Sequence, residues 1–568
     1  MGCDVFESAP SRERVRPWCF DLRLKTEYSK ERLPMHHCLT KALAVVAAAT
    51  LTLLPVYPAS AQGKDGSSTR TPIKHVVVIF QENVSFDHYF GTYPHAFNLP
   101  GETPFHAKED TPESNTLLSS GLLTNNPNKA NPFRIPPSVP VTCDEDHNYN
   151  DEQAAVDGGL MDKFVEKLSC NDKVLGPAST MGYYDGNTVT AMWNYAQNFA
   201  MSDNSWGTTF GPSTPGALNL VAGNTFPATL SSKRPNGSPA SASGNIANAA
   251  TTGAVIGDPR PLLDDCVASN PKFQGVNQIT MSGKNVGDLL NARGITWGWS
   301  QGGFAPTGVD TQGRAVCGQH HTGLAGDDAV VNAGDYIPHH EPFMYYPQTT
   351  NIHHTRPSSP LLIGTSGDGA NHQYDLMDFF TALNLHRLPA VSYLKAGAYQ
   401  DGHAGYSDPI DEQIFVVDTI NALMHSPEWN ETAVVIAWDD SDGWYDHQMG
   451  TIVTQSNVSD DQLLGPGNCG SPKVNDVSGG TQNGRCGFGP RLPLLVISPW
   501  AKQNFIDDSI TDQSSILRFV EDNWNLGRVG NGSTDAIAGS LNNMFDFSGG
   551  PRAGKLILDP ATGTIVSQ

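Results

Sequence analysis

The sequence predicts an α/β fold, a central sheet flanked by helices and interrupted by long loop insertions. Three observations point there. Unbroken apolar runs, Val76 to Phe80, Thr432 to Trp438 and Leu492 to Ser498, have the length and β-branched character of strands buried on both faces. Helical stretches alternate with them, the clearest at 410–425, where Ile410, Ile414, Val417, Ile420 and Met424 share one face, with another from Ser514 to Trp524. No internal repeat is present, so a single α/β domain over 62–568 accounts for the pattern.

Residues 1–34 are charged and mixed and read as an over-extended start, with Met35 as the true one. Residues 35–61 have the form of a secretory leader: a basic Lys41, an apolar stretch to Leu54, and Ala59-Ser60-Ala61 as a cleavage site, with cleavage expected before Gln62. The apolar stretch is short for a bilayer, so no permanent membrane anchor is expected and the chain is predicted to be exported, to the periplasm or outside the cell. The chain carries a net −23, and residues 1–61 contribute +2 of it, which leaves −25 on residues 62–568. This balance opposes non-specific attraction to nucleic acid or anionic membranes, and an anionic substrate then needs a local cation. Cys143, Cys170, Cys266, Cys317, Cys469 and Cys486 follow the leader. In an exported chain they suggest three disulfides, sequential pairing being the simplest connectivity, and none has zinc-site spacing.

The first strand stops at Gln81, and Glu82 and Asn83 follow at once, presenting a carboxylate and an amide oxygen at the carboxyl edge of the sheet. Ser85 can cap a short helix carrying Phe86, Tyr89 and Phe90. Residues 98–142 read as a polar surface excursion, 151–168 as a helix turning at Gly158-Gly159, and 191–199 as another helix. Gly211-Pro212 breaks the chain before Ser213, which sits where an N-cap would. A hydroxyl there lies among free N–H groups able to hold an anion, although simple capping also explains it. Residues 226–262, small and polar, read as an inserted loop. Helix is expected at 285–292, extended chain at 295–299 and 389–396. His353-His354 reads as an ordinary surface pair. The strand 432–438 repeats the opening design, ending in Asp439, Asp440, Asp442, Asp446 and His447, and 451–487 reads as a polar loop tied by Cys469 and Cys486.

If the two acidic-ended strands are parallel neighbours, Glu82, Asn83, Asp439 and Asp440 share one edge. Like charges ~4 Å apart cost about 4 kcal/mol per pair at an effective dielectric of about 20, so three carboxylates need a cation. The oxygen-rich set suits a divalent ion such as Ca, Mg or Mn, and Zn is also compatible. Such an ion neutralises phosphate oxygen and acidifies a hydroxyl, which makes Ser213 the natural nucleophile toward phosphorus. Histidines, with ordinary pKa of about 6.5, can donate to phosphoryl oxygens and protonate the leaving oxygen.

Glu82-Asn83-x-Ser85-Phe86-Asp87-x-x-Phe90-Gly91 resembles the opening motif of the bacterial phosphoesterase family of phospholipases C and acid phosphatases, in the alkaline phosphatase-like superfamily. The resemblance runs from about Ile73 to Trp524. Asp146-His147, Gly211-Pro212-Ser213-x-Pro215, His339-His340-x-Pro342-Phe343, Asp401-x-His403 and Asp439-Asp440-x-x-Gly443-x-x-Asp446-His447 follow in family order. It implies an alkaline phosphatase-like core and a divalent metal held by Glu82, Asn83, Asp439 and Asp440. It also implies Ser213 as the nucleophile of a phosphoseryl intermediate, and His147, His339, His340 and His403 as phosphate-binding and leaving-group histidines. Many phospholipases C of the family have Asp-Glu and then Gly-Gly in the late motif, and a Thr nucleophile. Asp439-Asp440, Asp442-Gly443 and Ser213 here are more similar to the acid phosphatase branch, which implies a phosphomonoester substrate. The alternatives are a phospholipase C acting on phosphatidylcholine-type lipids, with Phe343, Tyr345 and Tyr346 holding an acyl chain or head group, and a non-catalytic exported protein that binds metal and phosphate. Neither a G-x-S-x-G elbow nor a P-loop is present.

Overall fold

The computed structural model describes residues 68–247, 252–326, 334–465, 467–470, 477–479 and 481–568. The start expected at Met35 and the leader at 35–61 lie outside them. Eight strands make the central sheet: β1 (His75–Gln81), β2 (Ala200–Ser202), β3 (Trp297–Gln301), β4 (Gln373–Asp375), β5 (Val391–Lys395), β6 (Thr432–Trp438), β7 (Leu494–Ile497) and β8 (Phe505–Asp507). Their order across the sheet is β4-β3-β5-β1-β6-β7-β2-β8. β1 lies between β5 and β6 and runs parallel to both, with Val78 opposite Tyr393 on one side and Val435 on the other. Parallel strands at the centre of a sheet must be covered on both faces, and Val76 to Phe80 are fully buried. β7 runs antiparallel to β6 and β2. The parallel register continues to Gln81 opposite Trp438, so Glu82 and Asp439 leave adjacent strands side by side.

Besides two short helices, Phe164–Lys167 and Asp265–Ser269, the helices among the described residues are α1 (Phe86–Phe90), α2 (Tyr149–Val156), α3 (Thr190–Asn198), α4 (Ser213–Ala222), α5 (Val286–Arg293), α6 (Leu376–Asn384), α7 (Pro409–His425) and α8 (Gln513–Asn523). Ser85 caps α1 as expected, its hydroxyl accepting from the His88 N–H at 3.2 Å. The helix expected over 151–168 ends at Val156, because Asp157 (φ 46°) and Gly158 (φ 65°) turn left-handed, and a short helix resumes at Phe164–Lys167. Every residue of α4 is buried, and the helix ends on Gly223 at φ 57°. No helix among the described residues is long and apolar enough to cross a membrane.

Two further local expectations change. The stretch 226–262 is not a loop: Ala228–Leu230, Ile246–Ala247, Thr252–Val255 and Arg260–Pro261 join Gln278–Met281 in a five-stranded sheet. Its small residues pack without bulky side chains, Ala228 and Ala254 being fully buried. The histidine pair divides, for His353 is exposed whereas His354 is buried, with Nε2 2.9 Å from Asp264 Oδ1 and Nδ1 2.9 Å from the Phe304 carbonyl. The disulfides pair sequentially, Cys143–Cys170, Cys266–Cys317 and Cys469–Cys486.

Candidate active site

The parallel pairing of β1 and β6 assembles the site at their carboxyl ends. The Asn83 N–H donates to Asp439 Oδ1 at 3.1 Å, and its amide Nδ2 to Asp442 Oδ1 at 3.3 Å. Asn83 (φ 46°) and Asp442 (φ 53°) both adopt left-handed backbone, a strain that persists only where surrounding contacts over-determine it.

Ser213 comes to the same point from α4. The helix begins at Ser213 itself, with Pro212 in the cap position, so the hydroxyl is free of the capping role the sequence suggested. Its Oγ lies 3.0 Å from Glu82 Oε2 and 3.2 Å from Asp440 Oδ2. Gly216, on the next part of the turn, makes this approach possible, since a Cβ there would stand 2.2 Å from the Asp439 carbonyl oxygen.

The histidines form two pairs. His339 and His340 stack edge-on with centroids 4.3 Å apart, and His340 Nδ1 is 3.2 Å from Glu82 Oε1. His147 and His403 have centroids 6.0 Å apart. Backbone carbonyls hold Nδ1 of both rings, Glu145 O at 2.8 Å from His147 and Ala404 O at 2.5 Å from His403. Each Nε2 is thereby the nitrogen left for other work, and that of His147 lies 3.4 Å from the Asn83 amide. All nine residues singled out in the sequence therefore converge. Phe343, Tyr345 and Tyr346 do not join them: all three are buried, Phe343 packs 4.7 Å from Trp297, and the Tyr345 hydroxyl donates to Pro259 O at 2.6 Å. They are core residues, unavailable to an acyl chain or head group.

Lys395, the last residue of β5, is the cation that sequence reasoning missed. It is 1% exposed, donates from Nζ to Glu82 Oε1 and lies 3.9 Å from Asp439 Oδ2. In the sequence it is only a lysine closing an apolar strand, and the pairing of β5 with β1 is what sets it on the edge that carries Glu82. Asp446 and His447 serve elsewhere, joining Asp87 and Arg491 in a buried ion cluster, with His447 Nδ1 2.5 Å from Asp87 Oδ2 and Arg491 Nε 3.1 Å from Asp446 Oδ1. That cluster ties the first motif to the last.

Burial, then the charge of Asp439, pushes both Glu82 and Asp440 well above the usual carboxylate range. Burial raises Asp401 to about 8. Burial also holds His339, His340 and His403 below the ordinary imidazole value. For His147 burial acts downward, but Asp440, Asp442 and Asp144 together outweigh it and raise it.

The donor set fits a hard divalent cation. Three buried carboxylates meet an amide, and Asn83 Oδ1 and Asp439 Oδ2 are buried without any hydrogen-bond partner. Oxygens so placed are what a cation would satisfy, and Lys395 offsets one of three negative charges. Asp144, His147, His403 and Asp442 have ligand atoms within 4.8 Å of one another, a closeness not found for Glu82, Asp439 and Asp440 among the described residues.

The chain belongs to the Phosphoesterase family, whose family model matches residues 73–527. It is 25% identical over 492 residues to the non-hemolytic phospholipase C of Pseudomonas aeruginosa, covering 84% of this chain and 57% of that protein. To phospholipase C B of Mycobacterium tuberculosis it is 23% identical over 503 residues, covering 86% and 80%. The chain thus spans less than two thirds of the Pseudomonas relative's length. Among solved structures, a protein in the alkaline phosphatase superfamily from Vibrio parahaemolyticus matches 88% of this chain and 84% of its own, at 11% identity and a TM-score of 0.28.

Proposed function

We propose that this chain is an exported, metal-dependent phosphoester hydrolase that favours phosphomonoesters and uses Ser213 as its nucleophile. The observation that carries the reading is the Ser213 hydroxyl at the start of α4, within 3.0 Å of Glu82 and 3.2 Å of Asp440. The ligands would be Glu82, Asn83, Asp439 and Asp440, and a divalent ion bound there supplies Lewis acidity toward oxygen.

Ser213 directs its proton at the two carboxylates, which leaves its lone pairs for phosphorus. At the start of α4 the Thr214 N–H is taken by Asp258 and Pro215 has none, so it is the positive end of the helix dipole, not a row of free N–H groups, that favours the phosphoryl oxygens. His339 and His340 stand on one side and His147 and His403 on the other; His147, raised by its carboxylate neighbours and with Nδ1 held by Glu145 O, donates from Nε2 to those oxygens and carries a proton to the leaving oxygen, and the other three line the phosphate position. The phosphoseryl ester then yields to water. Three disulfides favour an oxidising compartment and hence export.

Phospholipase C activity is the second reading, favoured by the names of the relatives. The core position of Phe343, Tyr345 and Tyr346 removes the lipid contacts once expected of them. Hydrolysis of p-nitrophenyl phosphate and p-nitrophenylphosphorylcholine, with and without chelator, tests both. Faster, chelator-sensitive turnover of the monoester supports the phosphatase reading. A large preference for the choline diester moves the function to phospholipase C, and no turnover of either ester favours a binding role.

A further inference from the structure

A site this acidic, in a chain of net −23, repels the anion it is to bind unless a cation is reserved for it. Lys395 is not that cation, being buried and engaged by Glu82. Arg491 is engaged by Asp87 and Asp446. Arg260 remains. It begins the strand Arg260–Pro261 of the five-stranded sheet, is half-buried, and rests its guanidinium 5.3 Å from the Phe273 ring centroid.

Its position relative to the nucleophile is set by Asp258. Thr214, the neighbour of Ser213, donates to Asp258 Oδ1 from both its N–H, at 2.9 Å, and its hydroxyl, at 2.8 Å. The carboxylate two residues before Arg260 is therefore turned toward the nucleophile turn. Arg260 NH1 donates only to the Asp258 backbone carbonyl, at 3.3 Å, and its Nε is buried with no partner. No carboxylate pairs with it among the described residues. The strand Arg260–Pro261 packs against the turn Pro338–His340 that carries His339 and His340, and the residue before it, Pro259, accepts from the Tyr345 hydroxyl at 2.6 Å. An unpaired guanidinium thus stands on the histidine side of the site, next to the turn that presents Ser213.

We propose that Arg260 binds the substrate phosphate and confers preference for the doubly charged phosphate of a monoester over the singly charged phosphate of a diester. The inference rests on the hydrolase reading above and deepens it. A planar guanidinium can take two phosphate oxygens at once, and poor solvation strengthens the contact. The second negative charge of a monoester is what a diester lacks, so the loss of Arg260 must fall mainly on the monoester.

The test titrates inorganic phosphate calorimetrically into the metal-loaded protein, its Arg260→Gln variant and its Arg260→Lys variant, and compares turnover of p-nitrophenyl phosphate with that of p-nitrophenylphosphorylcholine. Arg260→Gln is expected to weaken phosphate binding and monoester kcat/KM about ten- to a hundredfold, and diester kcat/KM less than about threefold. Arg260→Lys, which keeps the charge without the fork, is expected to fall between, and it decides the matter if the Gln variant does not fold. Unchanged phosphate affinity in the variants, or equal losses on the two esters, overturns the inference. If the wild type hydrolyses neither ester, the hydrolase reading fails and the phosphate affinities alone decide the role of Arg260.

Discussion

Lys395 and Glu82 form a buried ion pair that joins the ends of β5 and β1, and the same ammonium stands 3.9 Å from Asp439. The pair places one positive charge beneath three carboxylates that the parallel register forces together. Removing one partner of a buried pair leaves its charge uncompensated and costs about 3–5 kcal/mol. Lys395→Met is therefore expected to lose that much stability in urea unfolding with chelator present. A divalent ion should restore more of the loss than it adds to the wild type. Equal stability of the two metal-free proteins would show that Lys395 carries no such role.

Asp440→Asn removes one of the crowded charges, with two opposite consequences. Repulsion with Asp439 falls, so the metal-free protein should melt higher than the wild type. The donor set also loses an anionic oxygen, so the rise in Tm on adding a divalent ion should shrink to a fraction of the wild-type rise. An undiminished rise in the variant would place the ion elsewhere, for example at the Asp144, His147, His403 and Asp442 grouping.

Glu412 supplies a pH signature away from the metal ligands. It accepts from the Tyr89 hydroxyl at 2.7 Å and Trp438 Nε1 at 2.9 Å, and burial pushes its carboxyl from 4.5 up to about 8. The folded chain then holds this proton more tightly than the unfolded chain. Its contribution is fully present below pH 4.5 and is lost as pH rises to about 8, with a slope of up to ~1.4 kcal/mol per pH unit. Glu412→Gln, neutral throughout, should flatten that part of the stability profile. Parallel profiles for the two proteins between these limits would contradict the assignment.

The Cys143–Cys170 bridge closes a separation of 27 residues around the segment that carries His147. In the chain-entropy account a loop of that size contributes about 3 kcal/mol. Cys143→Ser with Cys170→Ser is expected to lose about that amount in urea unfolding. A change under about 0.5 kcal/mol would mean that packing alone holds the segment.

The strands that place the site were legible because β1 and β6 are long, apolar and followed at once by acidic residues. β2, β4 and β8, three residues each, are too short to leave a periodic pattern. Within the site, Glu82, Asn83, Ser213, Asp439 and Asp440 stood out as chemistry at element ends. Lys395 did not, because a lysine after Val391-Ser392-Tyr393-Leu394 reads locally as the polar end of a strand, and only the pairing of β5 with β1 shows what it faces. Phe343 and Tyr345 misled for the converse reason, since aromatic residues beside paired histidines look like a substrate wall until tertiary contacts, Phe343 with Trp297 and Tyr345 with Pro259, show them in the core.

The central claim is that Ser213 takes the phosphoryl group. The direct measurement is mass spectrometry of metal-loaded protein quenched in acid while turning over p-nitrophenyl phosphate, alongside Ser213→Ala. A phosphoryl adduct on the peptide containing Ser213, with turnover lost by at least about a thousandfold in the variant, is the predicted result. Turnover that survives Ser213→Ala, with no adduct on that peptide in the wild type, would contradict it.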